Sequence, residues 1–191
     1  MRSILLFLFV FCGVFACYSQ NDQNLFDEAN SLQYAHYLRD SRQFEAAAME
    51  YERVLFFRAG DTSIQQFLLD SYFRAARYEL GLRRLRQLYP MGKPVPGTLA
   101  FTYGKLLLGN GNNLQLSIYL NHDRTIPQPD KAMLQIGNAL IMRDWETAQN
   151  LYQRHQETPI IQTTYTSLIQ RSQSIQSKRP FVAMSLSMAV P

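Results

Sequence analysis

Cysteine is almost missing from this chain: Cys12 and Cys17 are the only two among 191 residues, and both fall within the first 20. If the leading segment is removed after Ser19, no thiol remains, so no disulfide staples the fold and a hydrophobic core has to hold it. Histidine is scarce too. His36, His122 and His155 are the only three, and they are dispersed along the sequence. Metal sites gather His, Cys or carboxylates at short helical or loop spacings; no such cluster exists here, and neither a metal nor a cofactor is expected. Charge is modest, at 18% of residues with a net +4. No apolar run reaches the ~20 residues that a helical membrane span needs. Nowhere do apolar and polar residues alternate strictly, as they would in a half-buried strand.

What the chain does have begins with its leader. Arg2 followed by the apolar stretch Ile4 to Cys17 has the layout of a secretory signal, and the polar run Ser19-Gln20-Asn21-Asp22-Gln23 follows at once. Residues 1–19 are therefore set apart as a signal peptide. Two cleavages fit. One lies after Ser19 and leaves Gln20 first. In the other, Val14-Phe15-Ala16-Cys17 resembles a bacterial lipobox that makes Cys17 the lipidated first residue, although Phe15 is bulky for that motif. About 170 residues remain, enough for one domain with a sizeable core.

Over residues 20–177 the apolar spacing is helical throughout. Phe44, Ala47, Ala48, Tyr51, Val54 and Leu55 recur three and four apart, which places them along one buried stripe. Asp40-Ser41-Arg42 breaks this helix from the one before it, and Gly60-Asp61 ends the pair. Thr62 and Gln65 read as a capping box opening the next helix, which runs to about Arg74. Its partner, from Tyr78, stops at Pro90, and Met91 to Gly97 is a loop dense in proline and glycine. A third pair spans Thr98 to Leu108 and Asn113 to Asn121 around Gly109-Asn110-Gly111-Asn112, a turn suited to left-handed backbone. A fourth has Asp130 as its cap, with helices near Lys131 to Met142 and Trp145 to Gln156. Thr158-Pro159 opens a last helix carrying Ile160, Ile161, Tyr165, Leu168, Ile169 and Ile175 on one side and polar residues opposite. The expected fold class is all-α: about four helical hairpins and a C-terminal capping helix, stacked as a solenoid.

Two of these hairpins superimpose at a spacing of 34 residues. Ala35, Leu38, Phe44, Ala47, Tyr51 and Val54 recur as Leu69, Tyr72, Tyr78, Gly81, Leu85 and Leu88. The fourth regains the pattern through Trp145, Ala148 and Tyr152. In the third, Gly104, Leu107, Leu116 and Leu120 fit after a shift of about one residue.

On these residues the chain resembles tetratricopeptide repeat (TPR) proteins of the exported bacterial type, over roughly residues 24–156. The resemblance implies a right-handed superhelix whose first helices line a concave groove that binds another protein or peptide. Carried onto this sequence, the groove positions are His36 and Arg39 in the first unit, Gln66, Asp70, Phe73 and Arg74 in the second, and Phe101 and Lys105 in the third. The subset that clamps a terminal carboxylate uses a Lys/Asn set from which His36, Asp70 and Lys105 depart, so that ligand is not expected.

Other features set the remaining expectations. Arg74, Arg77, Arg83, Arg84 and Arg86 fall within 13 residues, either as a patch for an acidic partner or an anionic membrane surface or as a solvated face balanced by Asp70 and Glu79; nucleic acid is not an expected partner of an exported chain. The pair His122-Asp123 reads as a turn, and Gly109-Asn110-Gly111 lacks the Lys-Ser/Thr of a phosphate-binding loop, so no catalytic residue is assigned and no enzyme is expected. The apolar residues 178–191 resemble the start of a membrane-associated segment that follows such repeats in some exported bacterial proteins; a docking tail is the other reading. The expectation is a protein-interaction adaptor or scaffold in the periplasm or at the outer membrane of a bacterium. The alternative is a membrane-associated structural subunit, held by lipidated Cys17 or by a segment beyond Pro191.

Overall fold

A computed structural model of the chain describes residues 27–90 and 93–177. The expected signal peptide with Cys17, the loop residues Met91 and Gly92, and the tail 178–191 lie outside the described residues. Those described form nine helices and no strand. They are α1 (Glu28–Asp40), α2 (Phe44–Phe57), α3 (Thr62–Arg74), α4 (Tyr78–Leu88), α5 (Gly97–Gly109), α6 (Asn113–His122), α7 (Gln128–Ile141), α8 (Trp145–His155) and α9 (Pro159–Ser177). The chain is all-α and built of helical hairpins, as its periodicity indicates. It divides within α3 into two compact units, one ending at Leu68 and one starting at Leu69.

The hairpins share one turn. Arg42, Ala76, Gly111 and Arg143 have φ of 60, 56, 73 and 61°, at successive intervals of 34, 35 and 32 residues. In each case the N–H of the next residue bonds back across five residues: Gln43 to Leu38 O, Arg77 to Tyr72 O, Asn112 to Leu107 O and Asp144 to Ala139 O. The left-handed residue itself donates to the carbonyl three before it, for example Arg42 to Arg39 O. This is the Schellman arrangement, which satisfies the last carbonyls of the first helix while reversing the chain. The common turn fixes a common numbering. Seven residues before it lie Ala35, Leu69, Gly104 and Ile136, and five after it lie Ala47, Gly81, Leu116 and Ala148. All eight are buried. The third turn thus comes one residue later than a 34-residue repeat would place it, and the fourth follows after an interval two residues shorter than that repeat.

Where the first helices begin, two solutions occur, one in the first two hairpins and the other in the next two. Asp27 and Asp61, again 34 apart, cap α1 and α3 by accepting from Ala29 N at 2.9 Å and from Ser63 N at 2.9 Å. Pro96 and Pro127 take the cap position of α5 and α7. Two expectations are corrected here. Thr62 and Gln65 do not form a capping box: Asp61 is the cap, and the Gln65 amide donates to Ala59 O at 2.7 Å. Asp130 does not cap α7, because Pro127 already fixes the extended backbone that starts it and leaves Asp130 in the first turn.

In the first unit, α2 packs along α1, with Ala35, Ala47, Ala48, Tyr51 and Val54 fully buried. In the second, α4 packs on α5, α5 on both α6 and α7, α7 on α6 and α8, and α8 on α9. The small positions admit large neighbours. A Cβ on Gly81 would meet Leu106 and Tyr72, and one on Gly104 would meet Leu134. The sequence alignment sets Leu69 against Gly81; Leu69 is buried in the same core cluster as Leu106 of the next hairpin, whose methyl groups lie nearest to Gly81. On α9, among the residues whose side chains are described, Ile161, Tyr165 and Ile169 are the buried ones, a single i, i+4 line, whereas Ile160 and Leu168 are about half exposed; the side chain of Ile175 lies outside the described residues.

Because Ala47 is fully buried, Ala47→Leu should lower unfolding free energy by ~1–3 kcal/mol through overpacking; an unchanged denaturant midpoint would mean that the position is not a packing contact. At the turn, Gly111→Ala should cost about 1–2 kcal/mol, since an added Cβ opposes left-handed backbone, while Ala76→Gly should be neutral or stabilising. Thermal melts of the two variants check this opposite response.

Candidate functional site

The predicted groove residues stand at equivalent places in the hairpins. Six residues before the turn are His36, Asp70 and Lys105, and three before it are Arg39 and Phe73. Helical geometry puts these two positions, and the one four residues earlier that holds Gln66 and Phe101, on one face of each first helix.

In the second unit the structure brings five of the eight together. Asp70 on α3 accepts from Arg74 Nε at 2.7 Å and from Lys105 Nζ of α5 at 2.8 Å. The same Lys105 ammonium lies 4.7 Å from the Phe73 ring centroid and 5.4 Å from that of Phe101. Lys105 is therefore held by one carboxylate and two aromatic faces, a combination of ion pairing and cation–π attraction strongest away from bulk water. Its side chain is only 19% exposed and that of Asp70 23%, while Arg74 reaches out at 55%. Burial alone would raise the Asp70 pKa, but the hydrogen bonds and charges of Lys105 and Arg74 outweigh it and hold the carboxyl below its ordinary value.

The first unit assembles a different set. His36 Nδ1 lies 2.8 Å from the Tyr51 hydroxyl, and its ring meets Phe67 edge-on at 5.0 Å. The Arg39 guanidinium sits 4.8 Å above the Phe67 ring and bonds Asp40. Burial first, and then the Arg39 charge, lower the His36 pKa; burial raises that of Tyr51. Both shifts favour the neutral pair, whose donor is set by the imidazole tautomer. Gln66 is exposed. Phe67 and Tyr51 belong to this cluster and were not among the expected binding residues. Tyr51 reads as core from its stripe, and Phe67 has Thr102 as its equivalent in the third hairpin, so the repeat gives no signal for it.

The arginines on α4 are largely engaged locally: Arg83 bonds Glu79 and Arg84 bonds Gln87, each at 3.3 Å. This is the pattern of a solvated helix face. Among the described residues there is no group of three or more His, Cys, Asp or Glu able to hold a metal ion, and no helix is long and apolar enough to cross a membrane.

Compared with protein-family models, curated proteins and solved structures, the chain shows no match. The helical-hairpin architecture accordingly rests on the turns and packing described above.

The Asp70 cluster sets an acid dependence. Its folded pKa lies below the ordinary value of 3.8, so the stability it contributes is present above that pH and is lost as pH falls through the folded value. The parent should lose melting temperature on acidification below about pH 4, and Asp70→Asn should be less stable at pH 7 with a flatter decline. Parallel curves from pH 7 to pH 2 would show that Asp70 is not coupled to Lys105 and Arg74.

Proposed function

We propose that this chain is a non-enzymatic, TPR-like interaction adaptor of a bacterial cell envelope, exported by its N-terminal signal and binding a partner protein or peptide through the face of its first helices. The observation that carries this reading is the cluster of Asp70, Phe73, Arg74, Phe101 and Lys105, at matched positions of consecutive hairpins. It supplies side chains of the kind that dominate binding energy, aromatic rings and a half-exposed arginine, on helices rather than loops. Reaction chemistry would call for a nucleophile and base within hydrogen-bond reach. The His36–Tyr51 pair, in which both groups are neutral, instead favours a structural role.

Membrane attachment is the second reading, and the lipobox-like Val14-Phe15-Ala16-Cys17 favours it. The two differ in the mature N-terminus: a lipid mass on Cys17 favours the anchored subunit, and a chain starting at Gln20 favours the free adaptor.

Binding is tested on the full chain with Arg74→Ala and Phe101→Ala combined. A partner captured by the parent from envelope extracts should bind the double variant at least ~10-fold more weakly, as expected of hot-spot truncation. The variant should still melt cooperatively. Equal affinity would remove this face from the binding surface.

A further inference from the structure

A stripe on α1 is exposed where its counterparts in the later hairpins are covered. Twelve, eight and five residues before the turn lie Asn30, Tyr34 and Tyr37 in the first hairpin, four and three apart and so along one side of the helix. The same places hold Ile64, Leu68 and Ser71 in the second hairpin, and all three are buried. In the third they hold Leu99, Tyr103 and Leu106, with Tyr103 half-buried and the others fully so. In the fourth, Asn138 is buried, and Lys131 and Gln135 are half-buried.

Two of these counterparts show what covers them. Leu106 of α5 lies against Gly81 of α4, and Asn138 of α7 donates to Ser117 Oγ of α6 at 2.9 Å. In the third and fourth hairpins this stripe is therefore the one that packs on the second helix of the hairpin before. On α1 it stands open: Tyr34 is 51% and Tyr37 61% exposed, and their rings stack with centroids 6.3 Å apart and planes 16° from parallel. Terminal repeats ordinarily show water a polar outer face. Two stacked rings are instead the kind of surface that anchors interfaces.

The stripe is also suited to meet itself. It continues to Ser41, which is exposed, and none of Asn30, Tyr34, Tyr37 and Ser41 is charged. Asn30 stands four residues before Tyr34, and Ser41 four after Tyr37. An antiparallel copy of α1, centred between the tyrosines, thus sets Tyr34 against Tyr37 of the second copy and Asn30 against Ser41 of the second copy, an amide against a hydroxyl. No like charges are opposed along the stripe. At its ends the same pairing brings Asp27, at the start of α1, toward Arg42, just past its end.

We propose that two copies of this chain associate through this stripe, α1 against α1, across a two-fold axis. Isologous two-fold pairing is the commonest form of self-association, and here it supplies the cover that a preceding hairpin supplies to α5 and α7. It uses different residues from the Asp70 cluster and does not depend on the adaptor reading. One helix per copy makes a small contact, so the dimer is a weak one.

Sedimentation velocity on the purified chain over about 5 to 500 µM, the range in which a small interface associates, is the test. The sedimentation coefficient should rise with concentration toward that of a dimer. Tyr37→Glu, at an exposed place, should melt as the parent does and associate at least ~10-fold more weakly, and Tyr34→Arg should do the same. Mixed in equal amounts, the two variants should associate again, because the carboxylate of one then faces the guanidinium of the other. A parent that stays monomeric throughout would overturn the proposal, whether residues 20–26 of its own chain or some other protein cover the stripe. Association unaffected by Tyr37→Glu would overturn it too, by placing the contact on another face. A mixture no more associated than either variant alone would exclude the antiparallel pairing.

Discussion

Each hairpin reverses on one residue in the left-handed region, followed by a hydrogen bond that reaches back five residues. That bond dictates where the second helix starts relative to the first. Three of the four left-handed residues carry a side chain, Arg42, Ala76 and Arg143, at a conformational cost of about 1–2 kcal/mol each. The cost persists because the alternative strands the terminal carbonyls of a helix packed on its neighbours. With the turn fixed, a position counted from it has the same role in each unit, whatever residue occupies it. The chain can therefore place His36, Asp70, Lys105 and Gly137 at one site in four hairpins and give each a different chemistry.

The same register governs packing. Positions seven before and five after the turn hold Ala and Ala, Leu and Gly, Gly and Leu, Ile and Ala in the successive hairpins, all buried. The small residue moves from one helix to the other, and the pair keeps one small member except in the first hairpin, where both are small. Gly81 takes Leu106, and Gly104 takes Leu134, so these two small positions become sockets for the following hairpin. A close-packed interior requires total volume more than identity at each place. This explains how the third hairpin keeps the architecture while its sequence drifts from the others.

That division of labour also marks what could be read from the sequence. Helices α2, α4, α6, α8 and α9 start where periodicity and turn residues place them, because those signals are local. The starts of α3 and α7 illustrate the limit. Asp61 and Thr62 are both good caps, and the choice between them depends on backbone geometry after Gly60. At α7, Pro127 and Asp130 compete, and the residue with fixed φ wins. Of the candidate site, the residues were legible but their bonds were not. Repeat position brings Asp70 and Lys105 into line, yet their 2.8 Å contact depends on how α3 and α5 are offset.

The bonding inside the Asp70 cluster bears on what it can recognise. One carboxylate is shared by two cations, so Asp70, Arg74 and Lys105 together carry a single positive charge beside two phenylalanine rings. An incoming carboxylate aimed at Lys105 has to displace Asp70, and the gain of one charged hydrogen bond is set against the loss of another. An acidic group approaching Arg74, the more exposed cation, meets no such exchange with Lys105. Under the adaptor reading proposed above, the cluster would suit an acidic partner that lays an apolar side chain on Phe101 and a carboxylate near Arg74 better than one that inserts a terminal carboxylate. The reason lies in the pairing itself: a lysine already bound on three sides is a fixed part of the surface, which holds the two rings in place.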